Sequence, residues 1–259
     1  MVTHPDIPNL SIAVHIEGSP AEEINPRIEQ TSNYNNSGVR ACHCYIECQT
    51  GKKYSIRVKI LKAFNHIPDY DRLRCGISID GHNVSCIEIP KSMLLEEGKC
   101  FEKPSLHQGV PNGFVFSEIC AIEDAEQTVD AGLERINDMG TIKVRISEVK
   151  LGKMGYTRPK RTINYSRLEV AQKALAVLPR SLSHGTHFNL LKTNQSSSQG
   201  REGRERKKTY IGDIVFRYQS RESLIKDGIL LRAEADDRKA FRESKLPNGK
   251  TLIDLTQST

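Results

Sequence analysis

The first two thirds of the chain alternate between apolar and polar residues, which is the period of a half-buried β strand. The alternation is clearest in residues 10–16, 42–48, 54–60, 75–79, 84–89, 113–119 and 141–149. In the last of these, Ile142, Val144 and Ile146 fall on one face. Lys143 and Arg145 fall on the other. Because short strands separated by turns are typical of all-β domains, the pattern predicts a mainly β protein, an antiparallel β-sandwich of about eight or nine strands.

Two pairs of these strands are predicted to form hairpins. Residues 42–48 and 54–60 are separated by a short turn that contains Gly51. Residues 75–79 and 84–89 are separated by Asp80-Gly81-His82-Asn83. Strands joined by so short a loop usually pair with each other, so we expect each pair to lie side by side in one sheet.

Two or three peripheral helices are expected around the sheets. An acidic helix is predicted from Asp124 to Met139, ended by Gly140. A second is predicted over 166–178, because Ser166 and Glu169 have the spacing of a capping box and Pro179 ends the pattern. A helical turn is predicted for 220–226, and a solvated helix for the charged residues 232–245.

The remaining segments give the predicted domain organisation. Residues 151–164 are basic and contain glycine, which indicates a linker or exposed loop, and 183–191 and 210–218 are predicted strands. Residues 193–208 are rich in Ser, Gln, Gly and Arg, which favours disorder. We therefore expect a single domain over residues 1–232 and a charged helix with a flexible tail over 233–259.

Composition narrows the class of protein. The 259 residues carry a net charge of +6 and include seven cysteines. No apolar run approaches the ~20 residues of a membrane span. The N-terminus has neither the basic start nor the apolar stretch of a secretory signal. The sequence predicts an intracellular protein with free thiols.

No constellation of residues predicts catalysis, a metal or a cofactor. Cys42, Cys44 and Cys48 share a strand face with Ile46, which favours a core over a zinc site because no second cysteine pair follows. His184-x2-His187 is predicted to be a strand of surface histidines, since no nucleophile elbow accompanies it. Phosphate-binding glycine loops are absent from the sequence. We expect a protein that is not an enzyme.

Short basic clusters fall on two predicted loops. The clustered bases are Arg158, Lys160, Arg161, Arg204, Arg206, Lys207 and Lys208. They are compatible with solubility, with nuclear import, or with contacts to the phosphates of nucleic acid. The first of these readings is the simplest.

The C-terminal residues form a short apolar strand that follows a predicted turn at 247–249. A strand without a core to join can pair with the sheet edge of another protein. Leu252, Ile253, Asp254, Leu255 and Thr256 resemble a SUMO-interacting motif. The resemblance implies that Ile253 and Leu255 are anchors in a groove of SUMO. A final strand of the protein's own sheet is an equally good interpretation.

Four longer segments resemble a large family of uncharacterised fungal β-rich proteins. They are residues 45–51, 140–146, 169–175 followed by Ser183-His184, and 216–224. The resemblance spans most of residues 8–232 and implies a fungal protein with a β-rich single domain. It brings no activity, cofactor or catalytic residue.

The sequence thus predicts a non-enzymatic, intracellular and nuclear interaction protein whose C-terminal strand docks on a partner's sheet edge, with SUMO as the candidate partner. The alternative is a nucleic-acid-associated nuclear factor that uses the two basic clusters. A further alternative is an enzyme with a site that one sequence does not reveal. No membrane association is expected.

Overall fold

The computed structural model describes residues 1–30, 40–64, 70–103, 113–122, 137–156, 169–171, 181–189, 201–231, 242–245 and 251–254. These residues form two large β sheets and two small two-stranded sheets. The prediction of a mainly β protein is confirmed.

The first large sheet has seven antiparallel strands. They are β1 (Val2–His4), β2 (Ile7–Ile16), β3 (Ser19–Pro20), β6 (Lys53–Ile60), β9 (Cys100–Lys103), β10 (Gly113–Glu118) and β14 (His184–Asn189). Their order is β1-β2-β6-β10-β14, with β3 beside β2 and β9 beside β6. The predicted strands at 10–16 and 113–119 are therefore confirmed, and the strand predicted at 183–191 is confirmed over residues 184–189, with 190–191 outside the described residues.

The second large sheet has six strands. They are β4 (Ile24–Gln30), β5 (Arg40–Glu47), β7 (Arg72–Ile79), β8 (His82–Pro90), β12 (Thr141–Tyr156) and β15 (Arg201–Gln219). Their order is β4-β5-β15-β12-β7-β8. The pairing of β5 with β15 is parallel, and the other pairings are antiparallel.

The small elements complete the described part of the chain. Strand β11 (Cys120–Ile122) pairs in parallel with β13 (Glu169–Ala171), and β16 (Arg242–Lys245) pairs antiparallel with β17 (Thr251–Asp254). A 3-10 helix covers Lys91–Leu95. One α helix, α1, covers Arg221–Lys226, and the side chain of Ser220 caps it by accepting a hydrogen bond from the amide of Ser223. The predicted helical turn at 220–226 is confirmed.

The two large sheets share one hydrophobic core. The alternation predicted from sequence places Ile12 and Ile56 of the first sheet, and Ile77 and Val144 of the second, fully inside. Aromatic rings join the sheets, since the ring centroid of Tyr218 lies 5.0 Å from that of Phe116 and 6.4 Å from that of Tyr54. Each large apolar side chain buried in this way contributes about 1.5–3 kcal/mol to stability.

One of the two predicted hairpins is wrong. Strands β7 and β8 form the hairpin predicted at Asp80. Strands β5 and β6 do not pair, because the chain crosses from the second sheet to the first between them. Alternation identifies a strand with one buried face, and both faces of this core are built from such strands. The pattern therefore could not indicate which sheet each strand joins.

Segments predicted as linker, loop or disordered chain form the ends of the two longest strands. Residues 151–156 extend β12, and residues 201–208 begin β15. They pair with each other, from Leu151 opposite Glu205 to Tyr156 opposite Arg201. Polar residues can also form backbone hydrogen bonds to a neighbouring strand. Because residues 151–156 and 201–208 do not alternate between apolar and polar side chains, the sequence pattern did not predict this strand. The rest of the predicted disordered loop, 193–200, lies outside the described residues.

Two predicted helices contain strand residues. Residues 169–171 form β13 and residues 242–245 form β16, because in each case a neighbouring strand supplies backbone partners. Asn137 and Asp138 are helical, and Gly140 ends that turn with a φ of 66°. The other parts of these helices, 124–136, 166–168, 172–178 and 232–241, lie outside the described residues. The described chain contains 17 strands, including parallel pairs, where about eight or nine antiparallel strands were expected.

Candidate functional site

The C-terminal motif lies in a hairpin. Leu252, Ile253 and Asp254 belong to β17, whereas Leu255 and Thr256 lie outside the described residues. Leu252 is opposite Ser244 and Ile253 is opposite Glu243 in β16. The expectation of an unpaired tail strand is therefore wrong for these three residues. One edge of β17 is occupied by the chain itself.

The second basic cluster lies on a strand and not on the predicted loop. Arg204, Arg206, Lys207 and Lys208 all belong to β15. Lys208 is opposite Val149 of β12, and Lys207 is opposite Lys150. The first cluster, Arg158, Lys160 and Arg161, lies outside the described residues. The structure thus brings Lys207 and Lys208 to the middle of the second sheet.

The outward surface of the second sheet carries a concentration of positive charge. Outward residues are those that alternate with the core residues on β7, β8, β12 from Thr141 to Val149, and β15 from Lys208 to Arg217. Their bases, which we call the basic face, are Arg72, Arg74, Lys143, Arg145, Lys208 and Arg217. The acidic residues on the same surface are Glu88 and Asp213. Bases therefore outnumber acids on this surface.

Each acid of this surface is shared by two bases. Arg72 and Arg74 both bond to the carboxylate of Glu88. Burial alone would raise the pKa of Glu88, but the bonds and charges of Arg74 and Arg72 outweigh it and lower that pKa. The buried carboxylate of Asp213 lies 3.1 Å from Nζ of Lys143 and 3.4 Å from Nε of Arg145. At each of these carboxylates, two positive charges therefore meet one negative charge.

The pKa of Lys208 reflects the positive potential of the basic face. Its pKa is lowered by burial, and further by the charges of Arg74 and Arg145. The guanidinium of Arg145 also lies 5.2 Å from the ring centroid of Tyr210, which is within cation–π distance. Lys208 was predicted as part of a basic cluster, but the neighbouring bases come from β7 and β12, distant in sequence, and the sequence did not identify them.

The cysteines behave as core residues where they were predicted to do so. Cys42, Cys44 and Cys48 are buried in the core together with Ile46. Burial, with a smaller contribution from Glu23, raises the pKa of Cys44 to about 12. Such a thiol remains protonated and unreactive near neutral pH. Among the residues that the structure describes, no group of three or more His, Cys, Asp or Glu side chains is arranged to hold a metal ion.

His184 is buried, which contradicts the prediction of two surface histidines. His187 is exposed as predicted, but His184 is only 5% exposed. Its ring nitrogens lie 2.9 Å from Oγ of Ser183 and 3.0 Å from Oγ1 of Thr50, and Thr50 donates to Glu118. Burial lowers the pKa of His184, partly offset by Glu118. Thr50 precedes β6, so these bonds tie the turn that crosses between the sheets to β14.

This arrangement is not a hydrolase triad. Oγ of Ser183 accepts a hydrogen bond from the amide of Ser220, which precedes α1. Glu118 does not contact the imidazole directly, because Thr50 lies between them. A triad requires a carboxylate on the histidine and an exposed nucleophile. The bonds of Ser183 and His184 instead fasten α1 and β14 together.

A buried polar network at Asp80 joins the two sheets, and sequence reasoning missed it. Asp80 accepts hydrogen bonds from the amides of Gly140 at 2.8 Å and Thr186 at 2.7 Å, and from the hydroxyl of Tyr218 at 2.6 Å. The Thr186 hydroxyl in turn bonds to Tyr218 at 2.8 Å and to Tyr54 at 2.7 Å. Burial raises the pKa of Asp80, while these bonds oppose the rise. In the sequence, Asp80 looks like an ordinary turn residue before Gly81.

Comparison with known proteins gives a family but no relative of known structure. A family model described as a domain of unknown function (DUF7918) matches residues 9–233. The chain belongs to the DUF7918 family. The DUF7918 domain includes most of β2 and every described element from β3 to α1. The whole second sheet, the first sheet without β1, the Asp80 network and the basic face therefore lie within it. The β16–β17 hairpin follows it. No curated protein and no solved structure matches the chain.

The described helices were also compared with the requirements of a membrane span. None of them is long and apolar enough to cross a bilayer.

Proposed function

We propose that this β-sandwich is a non-enzymatic, nuclear interaction protein that presents its C-terminal strand to the sheet edge of a partner, with SUMO as the candidate partner. The observation that carries the proposal is the position of β17. It pairs with β16 in a separate two-stranded sheet, and within the described part of the chain its other edge has no strand beside it.

A free edge on so small a sheet favours the addition of another strand. A two-stranded hairpin alone is marginally stable in water, and a third strand supplies the missing row of backbone hydrogen bonds. Strand addition to an edge is a common mode of peptide recognition, in which the main chain gives affinity and alternate side chains give specificity. The hairpin differs from a single tail strand because β16 would hold β17 extended before the partner arrives, which lowers the entropic cost of binding.

The side chains give the proposal its specificity. Ile253 and Leu255 would be the main anchors, Leu252 would assist them, Asp254 would face a basic rim, and Thr256 would supply a hydrogen bond. Loss of one aliphatic anchor should weaken binding by about 1–3 kcal/mol, because burial of such an apolar side chain contributes a free energy of that size.

The test is a titration of isotope-labelled SUMO with the full chain, followed by NMR. Wild-type protein should shift the resonances of one sheet edge and its groove, and Ile253→Ser and Leu255→Ser should weaken the affinity. Leu231→Ser is the matched control, because Leu231 is an aliphatic residue that is 90% exposed outside the hairpin. Absence of binding at millimolar concentration, or equal losses from all three variants, would refute SUMO docking by this strand.

Docking on a partner other than SUMO is tested separately. The full chain and a truncation ending at Asn248 are used to capture partners, which are compared by mass spectrometry. Binding of a purified partner that is lost on truncation and on Ile253→Ser would support strand docking without SUMO. If the full chain and the truncation captured identical partners, the C-terminal strand would not be the docking element.

A further inference from the structure

We propose that the basic face of the second sheet binds single-stranded nucleic acid through its phosphates and stacks bases against the aromatic and guanidinium groups beside it. This site lies in the DUF7918 domain and is independent of the C-terminal strand. It is built mainly from residues of β7 and β12 that the two sequence clusters do not include.

The bases of this face form a continuous path across neighbouring strands. Arg72 and Arg74 lie on β7, Lys143 and Arg145 on β12, and Lys208 on β15. Val149 is opposite both Arg72 and Lys208, so these two bases flank one residue of β12. Outward residues on one strand are about 6.6 Å apart, because each residue rises about 3.3 Å. A flexible polyanion can follow such a row of charges, with each phosphate close to a base.

The electrostatics of the face favour an anion. Burial lowers the pKa of Lys208, and the charges of Arg74 and Arg145 lower it further, which is the effect of a positive potential at its ammonium group. A phosphate placed there would reduce the repulsion among the three cations. Glu88 and Asp213 each lie against two bases, so each carboxylate holds a pair of cations in place and offsets one of their two positive charges.

The side chains of the face favour a single strand of nucleic acid over an acidic peptide. Half-buried Tyr45 lies opposite Arg217, and Tyr210 lies against Arg145. Aromatic rings and arginine planes stack unpaired bases, and sheet surfaces carrying both are typical of proteins that bind single strands. An acidic peptide would use the charges and gain little from the rings.

Gly76 leaves room at the centre of the face. It lies between Arg145 on β12 and Cys86 on β8, and it adds no side chain to the surface. A Cβ placed on Gly76 would meet only the carbonyl oxygen of Arg145, at 3.9 Å, which is an ordinary contact. Gly76→Ser and Gly76→Asp are therefore two variants of similar size that the sheet can accept, and they differ in charge.

The experiment measures fluorescence anisotropy of a labelled oligouridylate of about 16 nucleotides over a range of salt concentrations. Wild-type protein should bind at low salt, with log K falling linearly in log salt by about 0.7 for each phosphate contacted. Arg74→Gln with Lys208→Gln should reduce that slope by about 1.4 and weaken binding at low salt by at least about tenfold. Glu88 keeps Arg72 as its partner in this variant. Circular dichroism and thermal melting verify that each variant folds.

Matched controls separate this face from general positive charge. Lys59→Gln removes an exposed base from the first sheet and should leave the slope unchanged. Gly76→Asp should bind at least about tenfold more weakly than Gly76→Ser, because it places a carboxylate among the arginines. Tyr45→Leu should weaken binding without changing the salt slope, because it removes stacking and no charge.

Several results would overturn the proposal. A slope that Lys59→Gln and the Arg74–Lys208 double variant reduce equally would show that the charge acts without a site. Equal binding by Gly76→Asp and Gly76→Ser would remove the face from the interaction. Binding of polyglutamate as tightly as oligouridylate, with no effect of Tyr45→Leu, would replace nucleic acid by an acidic protein as the occupant. Binding of duplex as tightly as of the single strand would overturn the stacking role.

Discussion

The Asp80 network allows a sharp prediction about stability. In Asp80→Asn the backbone is not a confounding factor, because Asp80 has a φ of 50° and asparagine tolerates this left-handed region as well as aspartate does. The substitution also conserves size. What changes is one acceptor: Oδ1 of Asp80 accepts from Gly140 and Tyr218, and Oδ2 accepts from Thr186. An amide has one acceptor oxygen and one donor nitrogen, so it cannot replace both.

The magnitude follows from the groups that lose their partners. If the amide oxygen keeps Gly140 and Tyr218, its nitrogen faces the amide of Thr186, and two buried donors remain without acceptors. Each such group costs about 1–3 kcal/mol. Burial raises the pKa of Asp80, so removal of its charge returns part of this cost. We expect a net loss of about 2–4 kcal/mol in the free energy of unfolding.

Urea denaturation monitored by circular dichroism measures this loss, with an unchanged m value as evidence that the unfolded state is unaffected. Asp138→Asn is the matched control, because Asp138 is exposed and should change stability by less than about 0.5 kcal/mol. Equal stability of Asp80→Asn and wild type, or equal losses from both variants, would refute the view that this network fastens the two sheets.

Three other predictions concern packing, pH and thiol reactivity. Gly212→Ala should lose about 1–3 kcal/mol or fail to fold, because its Cβ would lie 2.1 Å from Nε2 of His4, whereas Gly113→Ala, with 3.9 Å to its nearest neighbour, should be tolerated. The lowered pKa of His184 means that the unfolded chain binds its proton more readily, so stability should fall as pH drops through the ordinary histidine range, and the same titration of His184→Gln should lack that component. In the folded protein a thiol reagent should leave Cys44 unmodified, since burial raises its pKa to about 12, and mass spectrometry should find label only after denaturation. Native labelling is expected at the exposed cysteines, Cys86, Cys100 and Cys120.

The candidate surfaces show how far local sequence carries a functional prediction. Lys208 was visible as part of a basic cluster, but its neighbours Arg74 and Arg145 come from other strands. Arg145 was predicted only as an outward position of 141–149, and Arg74 precedes the predicted strand 75–79. The C-terminal strand was recognised from Leu252 and Ile253, whereas its partner β16 was predicted as a helix because its residues are charged. In both cases the missing information was which strand lies beside which.

The sequence by itself determined the elements whose cause is local. Alternation fixed the inward faces of β7 and β12, a short turn paired β7 with β8, and Ser220 capped α1. The tertiary structure alone decided the crossing from β5 to β6, the strand at 201–208, and the burial of Asp80 and His184. Each of these depends on backbone or polar groups that are satisfied by residues distant in the chain. A periodic pattern of apolar residues indicates which residues are buried, but it does not indicate which distant residue forms a hydrogen bond with each backbone or polar group.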